Sequence, residues 1–134
     1  MLAPPKKPCG SCPYRRDVPA GVWEAVEYEK LPAYDRETSS QPAGVFLCHQ
    51  RDGCLCGGWL MAHDRAHLLA LRFAAARLDP AVWDYDAGGV PCFGSGLEAA
   101  MHGLSGINEP SAAARRVIAG LERLQAARKG ETSQ

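Results

Sequence analysis

Two cysteine clusters in the first half of the chain carry the residue types best suited to chemistry. The first is a pair, Cys9 and Cys12, separated by two residues. The second has three cysteines and a histidine close together: Cys48, His49, Cys54 and Cys56. A Cys-x-x-Cys pair can turn both thiolates toward one metal ion, and the turn signal Asp52-Gly53 can fold the second cluster back on itself. Together the clusters supply enough soft ligands for a closed zinc site or an iron–sulfur cluster.

Bulk composition bounds the setting of these thiols. The chain has 134 residues, 6 cysteines and a formal net charge of zero. No export signal is recognised at the N-terminus, and no apolar run approaches the roughly 20 residues that span a bilayer. We therefore expect a cytoplasmic protein without membrane contact, in which disulfides are disfavoured and metal binding is the better explanation for clustered cysteines.

The order and flanking residues of the cysteines resemble an uncharacterised family of bacteria and their phages, a domain of unknown function. The family pattern is Cys-x-x-Cys-Pro with an aromatic residue and Arg, then Cys-His-Gln, then Cys-x-Gly-Trp. Here it reads at residues 9–15, 48–50 and 56–59. The resemblance implies one ligand group, which we call the four-cysteine set: Cys9, Cys12, Cys48 and Cys56. Cys54 and His49 are additional candidates.

A weaker likeness to the WhiB-like iron–sulfur proteins rests on the spacing of Cys48 and Cys54 and on a following Gly-Gly-Trp segment. The cysteine order differs from those regulators, and no clearly basic DNA-contact tail follows. A cysteine followed by proline, as in Cys12-Pro13, also occurs at ferredoxin-type cluster loops. We therefore favour an iron–sulfur cluster, for example [4Fe–4S], with Zn²⁺ as the alternative.

Other candidate sites compete with this one. A thioredoxin-type motif at Cys9 needs a preceding strand, for which the Pro-rich start leaves no room. His63 and His67 stand one helical turn apart, the spacing of a two-histidine metal site, although Asp64 replaces the catalytic Glu. This spacing defines an alternative function, a metal-dependent enzyme. Cys92 and His102 have no companions and are predicted to be structural.

Basic side chains define the other alternative function, a nucleic-acid-binding module. They would have to converge from Arg15 and Arg16 and from the C-terminal group of Arg115, Arg116, Arg123, Arg128 and Lys129. With zero net charge, solvated helix faces are the simpler interpretation. The chain has no phosphate-binding loop and no Gly-x-Ser-x-Gly elbow, so no catalytic residues are assigned.

The elements that must position these residues are mainly helical. We expect helices over 20–31, 59–78 and 97–102, a short strand at 45–47, and a C-terminal amphipathic helix capped by Asn108 or Ser111. Ala113, Val117, Leu121 and Leu124 form the apolar face of that helix, with Ile118 beside them. The predicted fold is a small, mainly α single domain over 9–128 with an irregular, metal-stapled N-terminal half. Residues 1–8 are expected to be flexible and 129–134 disordered.

These expectations lead to one functional prediction. The chain is a non-enzymatic metal-binding protein that acts through a macromolecular partner, with redox-responsive regulation as one form of that role.

Overall fold

The computed structural model describes residues 1–132, with side chains through Arg128, and confirms the mainly helical class. The α-helices are α1 (Ala25–Glu29), α2 (Gly57–Ala62), α3 (Leu69–Ala74), α4 (Gly96–Leu104) and α5 (Ala112–Thr132). Five 3₁₀ turns connect them, at Leu31–Asp35, Thr38–Ser40, Arg65–His67, Ala75–Arg77 and Pro80–Val82. Strand pairing in the described residues is limited to isolated bridges. None of the described helices has the length and apolar character to cross a membrane.

One main core holds the short helices together. Trp59 of α2 is completely buried at its centre, and the ring of Tyr34 meets it edge-on at 5.3 Å between centroids. Tyr14, which directly follows the first cysteine pair, is equally buried and meets Phe46 edge-on. Such aromatic pairs stabilise the fold beyond the contribution of the apolar area that they bury. The first cysteine loop and the second cluster are therefore anchored in the same core.

Helix α4 packs unusually close to the first third of the chain. A Cβ atom on Gly103 would collide with the ring of Tyr28 in α1, and one on Gly96 with the backbone carbonyl of Leu31. The carboxylate of Asp35 also accepts hydrogen bonds from the backbone N–H groups of Gly96 and Leu97 at 2.7 and 2.8 Å. These bonds satisfy donors that the first turn of a helix leaves free. The contact therefore requires small residues on α4.

The helix predicted over 20–31 is wrong in its extent. Its only α-helical part is α1, because Gly21 has a positive φ of 79° and Glu24 is extended. The indole of Trp23 is instead directed to the first cysteine loop, where Nε1 donates to the Ser11 carbonyl at 2.7 Å. Pro32 does not terminate helical structure but lies in the 3₁₀ turn that follows. Proline is tolerated there because the first turn needs no N–H from it.

The long helix predicted over 59–78 is also wrong. The segment breaks after α2, since Asp64 accepts from the N–H of Ala66 and starts a separate 3₁₀ turn. Arg65 fixes the break by donating to the carbonyls of Leu60, Val82, Trp83 and Tyr85. The side chain of Gln41 then caps α3 by accepting from Leu69 N at 2.9 Å. Caps that come from other segments leave no periodic signal in the sequence.

The C-terminal helix begins at Ala112, so Ser111, the alternative cap, is used rather than Asn108: its hydroxyl accepts from Ala114 N at 3.1 Å. The N-terminal end of the buried face of α5 is shifted by one residue from the predicted face, because Ala114 rather than Ala113 is fully buried. It packs with Val18 and Val22, and these contact Val117, Ile118 and Leu121. Leu124 was predicted to share this face but is 52% exposed. Helix α5 runs to Thr132, and the final two residues of the predicted disordered tail lie outside the described residues.

Residues 2 and 3, part of the N-terminal segment predicted to be flexible, are hydrogen-bonded to two other segments. Leu2 exchanges backbone bonds with Arg77 and Asp79 at 2.7 and 2.8 Å, and Ala3 accepts from Leu55 at 2.9 Å. The bond between Ala3 and Leu55 attaches the start of the chain to the segment that carries Cys54 and Cys56. The start of the chain therefore covers one edge of the region that carries the thiols.

The close approach of α4 to Tyr28 yields a stability prediction. We expect Gly103→Ala to lower the free energy of unfolding by about 1–3 kcal/mol, because the added methyl group displaces a buried ring. Gly120→Ala is the matched control. Its Cβ would meet only Arg123 Nη2 at 3.8 Å, and alanine in a helix is favoured by about 0.5–1 kcal/mol. Urea denaturation of both variants checks the prediction, and equal stability of the two would contradict it.

Candidate metal centre

The second cysteine cluster forms a short antiparallel hairpin. Cys48 N donates to the Cys54 carbonyl at 2.7 Å, and Cys56 N donates to the Phe46 carbonyl at 2.9 Å. Gly53 takes the positive φ of 68° that the turn needs, as the Asp-Gly signal predicts. Because side chains alternate along a strand, Cys48, Cys54 and Cys56 point to one side of the hairpin. Leu47 and Leu55, the bridged pair, point to the other.

The first cysteine pair lies in a tight turn fastened to this hairpin. Cys12 N donates to the Cys9 carbonyl at 3.0 Å and closes the turn. Ser11 between them is almost fully buried, and its hydroxyl accepts from Gln50 Nε2 at 2.7 Å. The indole of Trp23 holds the Ser11 carbonyl from the other side. Hydrogen bonds made by the backbone and neutral side chains therefore place the two clusters against each other without help from the thiols.

The thiols of the four-cysteine set meet in a row. Cys12 Sγ lies 3.7 Å from Cys56 Sγ, although the two residues are 44 positions apart in sequence. Cys9 Sγ lies 3.8 Å from Ser11 Oγ, and both Cys12 and Cys48 shift the pKa of Cys9. All six cysteines of the chain are free thiols in the structure. The four thiols therefore influence one another in the order Cys48, Cys9, Cys12, Cys56.

The donor set fits a metal ion in its chemistry and in its one resolved sulfur–sulfur distance. Four sulfurs at about 2.3 Å from a tetrahedral zinc ion lie about 3.8 Å apart, close to the 3.7 Å between Cys12 and Cys56. As the side chains stand, however, no group of three or more Cys, His, Asp or Glu residues in the described part of the chain is arranged to hold an ion. Closing the row of thiols into a tetrahedron requires side-chain rotation.

Mutual contact keeps these thiols protonated. The Cys12 thiol raises the pKa of Cys9, and the Cys56 thiol raises that of Cys12 well above its usual value. The pKa of Cys48 is raised by its bond to Cys9 and next by burial. Each neighbour acts in one direction, since Cys48 lowers the pKa of Cys9 and Cys9 lowers that of Cys12, but the net shift at Cys9, Cys12 and Cys48 is upward. A cation among them would reverse this preference.

Small residues next to the thiols allow α2 to approach closely. A Cβ on Gly58 would lie 2.8 Å from Cys12 Sγ and would also collide with Tyr14. Gly58 belongs to the Cys-x-Gly-Trp segment, whose tryptophan fills the core. The glycine and tryptophan of this motif therefore have a clear packing role beside the sulfurs.

The additional ligand candidates occupy different positions. His49 Nε2 lies 2.6 Å from Glu27 Oε2, and its ring packs against Trp23 at 4.5 Å. It is therefore engaged outside the row of thiols. Cys54 is half-buried and points to the same side as Cys48. Cys92 pairs with Arg15 through a backbone bridge, remote from the hairpin in the chain.

The helical turn that the alternative two-histidine site at His63 and His67 requires does not form. His63 follows the end of α2, has an extended backbone, and lies 3.7 Å from Asp35 with only 8% of its side chain exposed. His67 lies in the next 3₁₀ turn and is 67% exposed. Because the helix breaks between them, the two rings do not share a face. His102 is hydrogen-bonded to the Val18 carbonyl at 2.8 Å, in agreement with a structural role.

Three of the arginines considered for a basic surface have individual partners in the structure. Arg15 makes a two-bond ion pair with Asp17 at 2.8 Å. Arg16 lies over the Phe93 ring and 3.6 Å from Glu98. Arg128, from the end of α5, donates instead to the Gln50 carbonyl beside the cysteine hairpin.

Sequence reasoning missed the residues that support the thiols. Ser11, Trp23 and Glu27 do so through hydrogen bonds and ring packing. No motif or spacing in the sequence marks these three residues as neighbours of the thiols. Only Gln50 had a usable signal, since it completes the Cys-His-Gln segment.

Comparison with protein families places the chain. Residues 4–116 match the model described as "Family of unknown function (DUF6283)". The chain belongs to this family. No curated protein and no solved structure matches it. The DUF6283 match includes the cysteine loop, the hairpin and helices α1–α4, so the arrangement of thiols lies within the family domain.

The protonated thiols predict a pH-dependent affinity for metal. Cys9, Cys12 and Cys48 carry protons near neutral pH and must release them to bind an ion. Affinity should therefore fall as pH falls, because protons compete with the ion for the thiolates. Competition of Zn²⁺ with a chromophoric chelator between about pH 6 and pH 8 measures this slope. A pH-independent affinity would show that thiols do not bind the ion.

Proposed function

We propose that this DUF6283 protein binds one metal ion through the four-cysteine set and that this centre is structural rather than catalytic. The observation that carries the proposal is the 3.7 Å contact between Cys12 and Cys56, which joins two segments far apart in sequence. Cys9 and Cys48 extend the same row of thiols. Four buried or half-buried soft donors in contact are typical of a closed thiolate site.

The sulfur spacing favours Zn²⁺ over a [4Fe–4S] cluster, the example preferred from sequence. Thiolates that share one ion approach to about 3.8 Å, whereas the four thiolates of a [4Fe–4S] cluster bind separate irons and are held farther apart. The 3.7 Å contact matches the first case. The cluster stays an alternative prediction that colour, iron and acid-labile sulfide distinguish from colourless zinc protein.

Bound metal would supply a crosslink between the first cysteine loop and the hairpin. Closing a long loop removes much of the entropy of the unfolded chain, so the tie favours the folded state. The residues around the centre hold the thiols in place: Gln50 and Trp23 fix the first loop, and Gly58 lets α2 approach. A set of four protein ligands leaves no open position for substrate, which supports a non-enzymatic role.

A protein whose metal centre is closed to substrate acts most simply by binding a macromolecular partner. The surface feature that supports this part of the proposal is an exposed apolar row on α4, where Leu97 and Met101 are 52% and 65% exposed and Leu104 is 38% exposed. Exposed apolar side chains one helical turn apart are a common feature of protein interfaces.

Serine substitution at each member of the four-cysteine set tests the proposal. We expect wild-type protein to hold about one metal ion per chain and each variant to lose the ion and melt at lower temperature, because a hydroxyl is a poor zinc ligand. Cys92→Ser is the matched control and should keep both metal and stability. Elemental analysis and circular dichroism give the two readouts.

If the serine variants do not fold, chelator titration of wild-type protein replaces them. Loss of helical signal in step with metal removal supports a structural centre. Full metal content in all four variants, or wild-type protein that binds none, would contradict the proposal.

A further inference from the structure

The hairpin carries a fifth thiol that the metal centre does not use. Cys54 is directly opposite Cys48, since the bonds from Cys48 N to Cys54 O and from Cys56 N to Phe46 O put these residues in register. One backbone bond joins the two residues, next to the bridged pair Leu47 and Leu55, and Cα atoms of directly opposite residues in antiparallel strands lie about 4.5–5.5 Å apart. This separation falls within the range of about 4.4–6.8 Å that a disulfide spans. Both side chains also point to the same side of the hairpin.

The two thiols differ in their exposure and in their role. Cys54 is half-buried and accessible, and it makes only a 3.6 Å contact from Sγ to the Leu55 carbonyl. Cys12 and Cys56, the closest thiol pair, are 1% and 3% exposed. A water-borne oxidant therefore reaches Cys54 before it reaches Cys12, Cys48 and Cys56. Cys9 is half-buried like Cys54, but only Cys54 lies opposite Cys48 in the hairpin.

We propose that Cys54 is a site of oxidation by hydroperoxides, and that the resulting disulfide with Cys48 removes one ligand from the metal centre. This inference rests on the proposed function for its consequence, the release of metal. The disulfide itself depends only on the geometry of the hairpin.

The chemistry balances in two steps. The Cys54 sulfur attacks hydrogen peroxide, the O–O bond breaks, and Cys54 sulfenic acid and one water form. The Cys48 sulfur, released from the ion when one is bound, then attacks the sulfenic sulfur, so that an S–S bond forms and the S–O bond breaks. The oxygen leaves as a second water with a proton from the Cys48 thiol or, when Cys48 was a bound thiolate, from solvent. Two thiols lose two electrons in total, and one peroxide is reduced to two waters. Burial, and next Cys48, raise the pKa of Cys54, so the first step needs prolonged exposure to peroxide.

The consequence follows from the count of ligands. A closed site that loses one of four thiolates binds its ion more weakly, and the ion leaves to a competing chelator. Reduction of the disulfide restores the fourth thiol. The hairpin would thus convert peroxide exposure into a reversible loss of the crosslink to the first cysteine loop.

The test treats purified protein, loaded with Zn²⁺, with hydrogen peroxide in the presence of a chromophoric chelator. Wild-type protein should release its zinc, lose about 2 Da in mass as two thiols become a disulfide, and recover with thiol reductant and fresh zinc. Cys54→Ser should release zinc at least about tenfold more slowly, because the accessible thiol is gone. Cys92→Ser is the control for a spare thiol and should behave as wild type.

Peptide mapping identifies the bond. Trypsin cuts after Arg51, so a bond from Cys48 to Cys54 joins peptides 37–51 and 52–65. The second peptide also contains Cys56, and fragmentation on either side of Leu55 distinguishes the two assignments. A Cys48–Cys54 bond supports the inference. A bond within the four-cysteine set, or zinc release from Cys54→Ser at the wild-type rate, overturns it.

The same map separates this inference from the proposed function. Protein that carries no metal but forms the Cys48–Cys54 bond would contradict the metal centre and keep the oxidation site. Protein that holds zinc but forms no such bond would do the reverse.

Discussion

The structure depends on one tie, the contact between the loop at Cys9 and Cys12 and the hairpin at Cys48 and Cys56. The α-helices before α5 are 5 to 9 residues long, too short to be stable alone. They need tertiary contacts, and the core around Trp59, which also contains Cys12 and Cys56, supplies them. The tie is made twice, by the bonds of Ser11 to Trp23 and Gln50 and by the thiols themselves.

This arrangement puts an electrostatic conflict at the centre of the fold. The pKa values of Cys9, Cys12 and Cys48 are raised, chiefly by a neighbouring thiol, so these three side chains are neutral near neutral pH. A divalent cation converts the same proximity into attraction, since each thiolate then faces positive charge. Cys54, the fifth thiol, lies opposite Cys48 in the hairpin. The proposed disulfide between them would remove Cys48 from the metal centre and so links the fold to oxidation.

The sequence predicts the local features of this centre better than the elements around it. The Cys-x-x-Cys spacing, the Asp52-Gly53 turn and the motif order are short-range signals, and the turn and the meeting of the thiols follow them. The helix over 59–78 failed for a long-range reason. The Arg65 guanidinium donates to the carbonyls of Val82, Trp83 and Tyr85. Gln41 caps α3 from 28 residues away. Leucine periodicity records neither contact, and without the helix the turn that the two-histidine alternative requires does not form.

The central claim is that four sulfurs surround one ion, and X-ray absorption at the metal edge of purified protein measures this most directly. The account predicts zinc with four sulfur neighbours at about 2.3 Å and no second metal. Nitrogen or oxygen neighbours in place of sulfur would contradict the four-cysteine set, and an iron edge with neighbouring iron atoms would contradict the single ion.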